Sequence, residues 1–253
     1  MRIRIKFAKK ESVKYLGHLD IMRFFQRCFN RADVRMEYSA GYNPHQKMSF
    51  AQPLGVGIIS SGEYLDAEIA DGQDLEDICR RLNEVCGEGF EVFSVRAVEE
   101  GAKKAMAALA YASYIVDIEE LLAGQAESAG VLQGEDPLPA EEDGNPETLL
   151  PLEKSVSRAI NDLLCEESIP VIKRTKSGEH EVDIRPQIIH VHYEGGRIFM
   201  TVTAGSNNNL KPDTLTEQII SKTTIEYQRE KVKIKRDELY AENFVPLKDF
   251  QTA

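Results

Sequence analysis

Only four cysteines, Cys28, Cys79, Cys86 and Cys165, occur in 253 residues, and the closest two stand seven apart. No CxxC is present, which removes the usual thiolate metal sites and the three-cysteine spacing of an iron–sulfur cluster. Thiols scattered in this way are expected to be free and buried. No apolar run approaches the roughly 18 residues that a membrane helix needs. The opening MRIRIKFAKK lacks the apolar stretch of a secretion signal, so the expectation is a soluble, cytoplasmic protein. Neither GxGxxG nor GxxxxGK[ST] occurs, and the common glycine-rich nucleotide cradles are thereby excluded.

A further absence is local. Between Ala105 and Glu153 there is no Lys or Arg against eleven acids, and the rest of the chain balances 31 cations with 31 acids. The net charge of −11 therefore arises in one segment. Residues 1–50 carry the opposite sign, with eleven cations and four acids. Local fields rather than totals steer association, so a polyanionic partner stays open despite the overall charge.

What is present first is periodicity. Arg2-Ile3-Arg4-Ile5-Lys6-Phe7 alternates strictly, which predicts a strand with Ile3, Ile5 and Phe7 inward and Arg2, Arg4 and Lys6 pointing to solvent. From Leu19 to about Arg31, Ile21, Phe24, Phe25, Cys28 and Phe29 mark one helix face, with Arg23, Arg27 and Arg31 on the other. Val34 to Tyr38 alternates as a short strand. A turn-rich segment Ser39 to His45 follows, then an extended run from Met48 to Ile69 broken by Pro53, Gly55, Gly57 and Gly62. A second amphipathic helix spans about Asp74 to Cys86, and Phe90 to Val98 closes a β-α-β-β-α-β order.

Beyond Glu99, Tyr111 to Ile118 reads as a strand. Gly124 to Leu149 is acidic and poor in aromatics, and is expected to be a mobile insertion. Pro151 opens a helix, Val171 to Thr175 and Glu181 to Arg185 are strands, and Glu194-Gly195-Gly196-Arg197 signals a hairpin turn. A short helix near Asp213 and a strand from Glu230 to Arg236 complete the pattern. The expected fold is α+β, two tandem ferredoxin-like (βαββαβ) units with antiparallel sheets and helices on one face. The expected boundaries are 1–100, 101–240 with the insertion at about 124–149, and a tail at 241–253.

Chemistry concentrates in residues 15–57, which are dense in Gly, Pro, aromatics and polar groups. The loop entering the first helix carries His18 and the next connection carries Tyr42, Asn43, His45 and Lys47. If the two loops face one another, these residues share one cleft holding acid/base groups, stacking surface and hydrogen-bond donors. Arg23, Arg27 and Arg31 form a cationic line at i, i+4, i+8. With Tyr38, Tyr42, Asn43, His45, Ser49 and Phe50 nearby, single-stranded RNA is the expected polyanion, held by cations and stacked on rings. Lys173, Arg174, Lys176 and Arg185 offer a matching surface in the second half. His190 and His192 share one side of a strand but lack a third ligand, so a solvent-facing pair is expected and no metal.

The stretch Tyr15 to Gly57, YLGHLDIMRFFQRCFNRADVRMEYSAGYNPHQKMSFAQPLGVG, resembles the bacterial radical-SAM-linked protein family of unknown function. The likeness extends to Ser61-Gly62-Glu63-Tyr64-Leu65-Asp66, Lys176-Ser177-Gly178, Val182-Asp183-Ile184-Arg185-Pro186, Ala204-Gly205-Ser206 and Leu210-Lys211-Pro212. The resemblance implies a neighbouring radical SAM protein with a B12-binding domain as partner. This chain has no cluster-binding cysteine motif of its own. The first expectation is thus an accessory, RNA-binding subunit that presents substrate and holds no cofactor. Alternatives are a protein-interaction subunit that docks the radical SAM protein without RNA, and a metal-independent endoribonuclease using His18, Tyr42, His45 and Lys47.

Overall fold

The computed structural model describes residues 1–131, 146–175, 178–206 and 208–252. In chain order it forms β1 (Arg2–Lys9), α1 (His18–Arg31), β2 (Met48–Phe50), β3 (Ile59–Glu68), α2 (Leu75–Cys86), β4 (Phe90–Ala97), α3 (Ala105–Ala108), β5 (Tyr111–Asp117), α4 (Glu119–Val131), α5 (Pro146–Cys165), β6 (Pro170–Thr175), β7 (Gly178–Asp183), β8 (Ile188–Glu194), β9 (Arg197–Thr203), α6 (Pro212–Ile220) and β10 (Lys233–Tyr240). The class is α+β with mostly antiparallel pairing. Two compact units divide the chain: Met1–Ser113 with Ala204–Asn207 and Lys235–Ala253, and Tyr114–Thr203 with Asn208–Ile234. This differs from boundaries at residues 100 and 240, because most of the last strand and the C-terminal residues after it pack into the first unit.

In the first unit β1 pairs antiparallel with both β3 and β4, and β2 adds to β3 through Met48↔Ala67 and Phe50↔Leu65. One face is the expected apolar layer. Ile3, Ile5 and Phe7 of β1 meet Ile21, Phe25 and Phe29 of α1 and Ile78 and Leu82 of α2. Phe7 and Phe25 lie 4.6 Å apart at their ring centres, a tilted arrangement that aromatic quadrupoles favour. Asp74 caps α2 by accepting from the Glu76 and Asp77 N–H groups, satisfying donors the first turn leaves over. Val34 to Tyr38 forms only isolated bridges, Met36↔Ile69 and Tyr38↔Gln46, rather than a strand.

The opposite face of β1 departs from expectation. Arg4 is 1% exposed and Lys6 is half-buried, because the C-terminal residues of the same unit cover them. Arg4 Nε donates to Asp66 Oδ1 at 2.8 Å and a terminal nitrogen to Oδ2 at 3.1 Å. Its other terminal nitrogen donates to the carbonyls of Leu247 and Phe250, each at 2.9 Å. Lys6 Nζ and the Tyr64 hydroxyl both reach Glu238, at 2.6 Å each. Burial, with the Glu238 carboxylate beside it, pushes the Tyr64 phenol above its ordinary value. Residues 241–252 are consequently no free tail: Leu247 is fully buried and Thr252 bridges Val98.

β10 also runs parallel to the start of β3 through Lys235↔Ile59 and Arg236↔Ser60. Arg236 grips Glu63 through two nitrogens at 2.7 and 2.6 Å. The backbones come so close that a Cβ on Gly62 would stand 2.4 Å from the Asp237 carbonyl oxygen. Only glycine fits there.

In the second unit β8 and β9 form the expected hairpin, with Glu194↔Arg197 at its end. Gly195 and Gly196 take φ of 52° and 75°, the left-handed pair that a tight hairpin turn demands. The sheet runs β5-β9-β8 and a separate two-stranded sheet holds β6 and β7. Val156, Ile160 and Leu163 of α5 are buried, as the periodicity requires. This helix starts at Pro146 and carries Pro151 inside it. The expected insertion at 124–149 is therefore helical up to Val131 and again from Pro146, and its middle lies outside the described residues. The strand expected from Glu230 begins instead at Lys233, after a single 3-10 turn over Arg229–Lys231.

Removing Asp66 leaves the Arg4 guanidinium buried and unpaired. Breaking a buried pair from one side typically costs about 3–5 kcal/mol, so Asp66→Ala is expected to lower the denaturant-derived unfolding free energy by roughly that much. A loss below about 1 kcal/mol, the range of an exposed pair, would contradict the packing described.

Candidate functional site

Helix α1 ends in a defined way that sets the direction of the next loop. The Val34 N–H returns to the Phe29 carbonyl and the Asp33 N–H to that of Asn30. Asp33 takes φ of 51°, a left-handed helix terminator that Asp tolerates better than most side chains. The chain then doubles back along α1. Gln46 Nε2 donates to Asn30 Oδ1 at 2.8 Å and to the Gln26 carbonyl at 3.4 Å.

Between these anchors residues 39–45 form a small closed loop. The Ser39 N–H donates to the His45 carbonyl at 2.9 Å, and the Ser39 hydroxyl meets His45 Nδ1 at 2.9 Å while accepting the His45 N–H at 3.1 Å. This consumes one ring nitrogen and leaves Nε2 on an exposed residue. Tyr38 is 49% exposed and Tyr42 fully so. Asn43 is exposed as well. Arg23, Arg27 and Arg31 are exposed on α1, next in sequence to Met22, Gln26 and Asn30. Among the described residues none of these three arginines forms an ion pair. Exposed cations of α1 without an ion pair among the described residues and exposed rings of the following loop thus belong to one stretch of chain, which Gln46 ties back to α1.

The first unit also holds a groove of about 310 Å³ lined by Arg2, His45, Lys47, Ser49, Glu68 and Lys104, with Met48, Asp66 and Ala67 also on its walls. Lys47 Nζ stands 2.9 Å from Glu68 Oε2. The Lys47 ammonium holds the Glu68 carboxyl below its ordinary range; slight burial opposes this, and Lys104 and Arg2 add to it. Lys47 is held above its ordinary value by the same contact. Asp66 has little spare capacity, since its Oδ2 also accepts the Ala105 N–H at 2.7 Å. The periodicity singled out neither Arg2 nor Lys104 as site residues. Arg2 was one cation of an alternating strand, and Lys104 falls between the strands expected at Phe90 to Val98 and Tyr111 to Ile118.

His18 is not part of this surface. It is the first residue of α1, whereas Gln46 binds Asn30 near the other end. At 1.5 Å per residue the two points stand roughly 18 Å apart along the axis. The loops entering and leaving one helix lie at its opposite ends, which is why the expected common cleft does not form. His18 instead packs edge-on against Phe50, ring centres 5.2 Å apart. It lines a separate cavity of about 10 Å³ with Lys9, Gln52 and Glu63, room for one water at most. Phe50 is 6% exposed and belongs to the core, so it offers no stacking surface. Lys9 is buried with Nζ on the carbonyls of Lys14 and Leu16, at 2.7 and 3.1 Å. Burial pushes its ammonium down, Glu63 opposes, and Arg236 adds to the lowering.

The second unit holds the remaining expected residues. Lys173 Nζ donates to the Asn209 carbonyl at 3.4 Å, and Lys176 lies outside the described residues. Arg185 donates to the carbonyls of Glu166 and Leu164 at 3.2 and 3.0 Å, so it caps the end of α5 rather than presenting a phosphate fork. His190 Nε2 and His192 Nδ1 approach to 3.1 Å on an exposed strand face. Among the described residues no group of three His, Cys, Asp or Glu could hold a metal, and no helix is long and apolar enough to cross a membrane. All four cysteines are free; Cys28 and Cys86 are buried, Cys79 is intermediate, and Cys165 is exposed, contrary to the expectation. Hydrogen bonding to Cys28, together with burial, pushes the Cys86 thiol far up, which makes it inert as a nucleophile.

A family model described as "uncharacterized protein conserved in bacteria (DUF2344)" matches residues 2–212, and the chain belongs to that family. No curated protein matches the chain.

The groove's electrostatics can be read directly. With Lys47→Ala, the Glu68 carboxyl loses its nearest cation and its NMR titration midpoint rises toward 4.5. An unchanged midpoint would mean that the Lys47–Glu68 contact is not formed in solution.

Proposed function

We propose that this member of an uncharacterized bacterial family is a non-catalytic accessory subunit that holds single-stranded RNA on its first unit. Its partner in this reading is a radical SAM protein with a B12-binding domain, to which the RNA is presented. The observation that carries the reading is the exposure of Arg23, Arg27 and Arg31, free of ion pairs among the described residues, together with the exposed rings of Tyr38 and Tyr42 on the loop that Gln46 anchors to α1. Cations that track a backbone beside rings that stack bases are what sequence-tolerant single-strand binding uses. The partner rests on the family resemblance of residues 15–57 and of the short segments beyond them.

The endoribonuclease reading loses its geometric support, because His18 and His45 line different cavities. Docking of the radical SAM protein without RNA would use the same cationic surface against an acidic one. The finer fold reading belongs here too. Ferredoxin-like organisation of both halves is supported by the order β1-α1-β2-β3-α2-β4 and, once the β6–β7 hairpin is set aside, by β5-α4-α5-β8-β9-α6-β10, with two helices in the first crossover.

Binding of a fluorescent single-stranded RNA by the full chain, titrated across salt, tests the proposal. Each phosphate contact adds about 0.7 to the log–log salt slope. Replacing Arg23, Arg27 and Arg31 with Gln should therefore flatten the slope by about 2 and weaken low-salt binding by roughly tenfold or more. Unchanged affinity and slope in that variant, with a radical SAM protein still co-purifying after nuclease treatment, would replace RNA with a protein surface.

A further inference from the structure

We propose that the groove formed by β2, the end of β3 and residue 104 in the first unit is a binding site for a phosphate monoester. The monoester is that of a nucleoside monophosphate or of the phosphorylated end of a strand. This goes beyond the RNA surface on α1, and the groove's own geometry carries it. A volume of about 310 Å³ falls at the small end of ligand sites, the size for one such group.

The charges on its walls do not cancel. Asp66 is engaged by Arg4 and the Ala105 N–H, and Glu68 is answered by Lys47. Arg2 and Lys104 remain: both add to the lowering of the Glu68 carboxyl, yet among the described residues neither forms an ion pair. Arg2 is held in place, since a terminal nitrogen donates to the Ala102 carbonyl. Its Nε, however, is buried with no hydrogen-bond partner. A buried donor fixed in position and left unmatched calls for an acceptor. The Ser49 hydroxyl on the opposite wall likewise has no partner among the described residues.

A phosphomonoester supplies what these groups lack. Its two negative charges match the two unanswered cations, and its three terminal oxygens accept from the Arg2 guanidinium, the Lys104 ammonium and the Ser49 hydroxyl. His45 also lines the groove and belongs to the loop that carries Tyr42.

Calorimetric titration of the full chain with adenosine 5′-monophosphate, inorganic phosphate and adenosine provides the test. The two phosphates are expected to bind and adenosine is not. Lys104→Gln changes an exposed side chain and should weaken both roughly tenfold, the loss of one charge-assisted contact. Glu68→Gln, which removes a carboxylate from the wall, should tighten both several-fold. Lys154→Gln in the second unit should change neither. A comparison of 5′-phosphorylated with 5′-hydroxyl oligonucleotides separates the sources: a preference for the phosphorylated strand assigns the groove to a strand end, and equal binding assigns it to a free nucleotide. No binding of either phosphate, or binding indifferent to both groove variants, overturns the proposal whatever the RNA titration gives. Loss of RNA binding with nucleotide binding intact would instead remove the RNA reading alone.

Discussion

The Arg4–Asp66 ion pair is the contact on which the functional part of the first unit depends. It joins β1 to β3, and Arg4 reaches on to the Leu247 and Phe250 carbonyls while Asp66 holds the Ala105 N–H. Four separate stretches of chain therefore converge on two side chains. Two buried charges are tolerable only because their hydrogen-bonding capacity is so nearly filled. The groove is a consequence of this arrangement. Arg2 lies two residues before Arg4 on the same strand face, Ser49 pairs in register with Asp66, and Lys104 directly precedes the residue that Asp66 holds.

A second buried pair, Arg236 with Glu63, does the same at the other end of β3. Alternation along β3 puts Glu63 on the helix side and Asp66 on the opposite side. With Gly62 allowing β10 to approach, β3 is pinned from both faces. The segment Ser61 to Asp66, whose likeness to other sequences is plain but whose chemistry is not, thus has a structural explanation: a close backbone contact and two buried carboxylates.

Much of the first unit was legible in the sequence, because its α1/α2 face rests on local periodicity. Strand β1, helices α1 and α2 and the Gly195-Gly196 hairpin all derive from spacing or turn chemistry. The illegible part depends on contacts distant in sequence. Alternating Arg4 and Lys6 look like a solvated face until residues 238–250 cover them, more than two hundred positions away. Arg185 reads as part of a cationic surface until it is seen to close the end of α5. Arg23, Arg27, Arg31, Tyr38 and Tyr42 are all exposed, and Gln46 ties the loop back to α1. His18 was misplaced for a topological reason, since it stands at the start of the helix whose far end carries the loop. The groove was missed because Lys104 has no pattern of its own and acquires a role only through the Ala105 N–H beside it.

The most direct measurement is photo-crosslinking of the full chain to a uridine-rich single-stranded RNA, followed by tryptic mapping of the adducts. Cleavage after Arg35 and Lys47 isolates Met36 to Lys47, which holds Tyr38, Tyr42 and His45 together. Adducts concentrated on that peptide and on those of α1 are the expected result. Adducts confined to residues 114–203, or none at concentrations where the RNA is bound, would contradict the assignment of the nucleic-acid surface to the first unit.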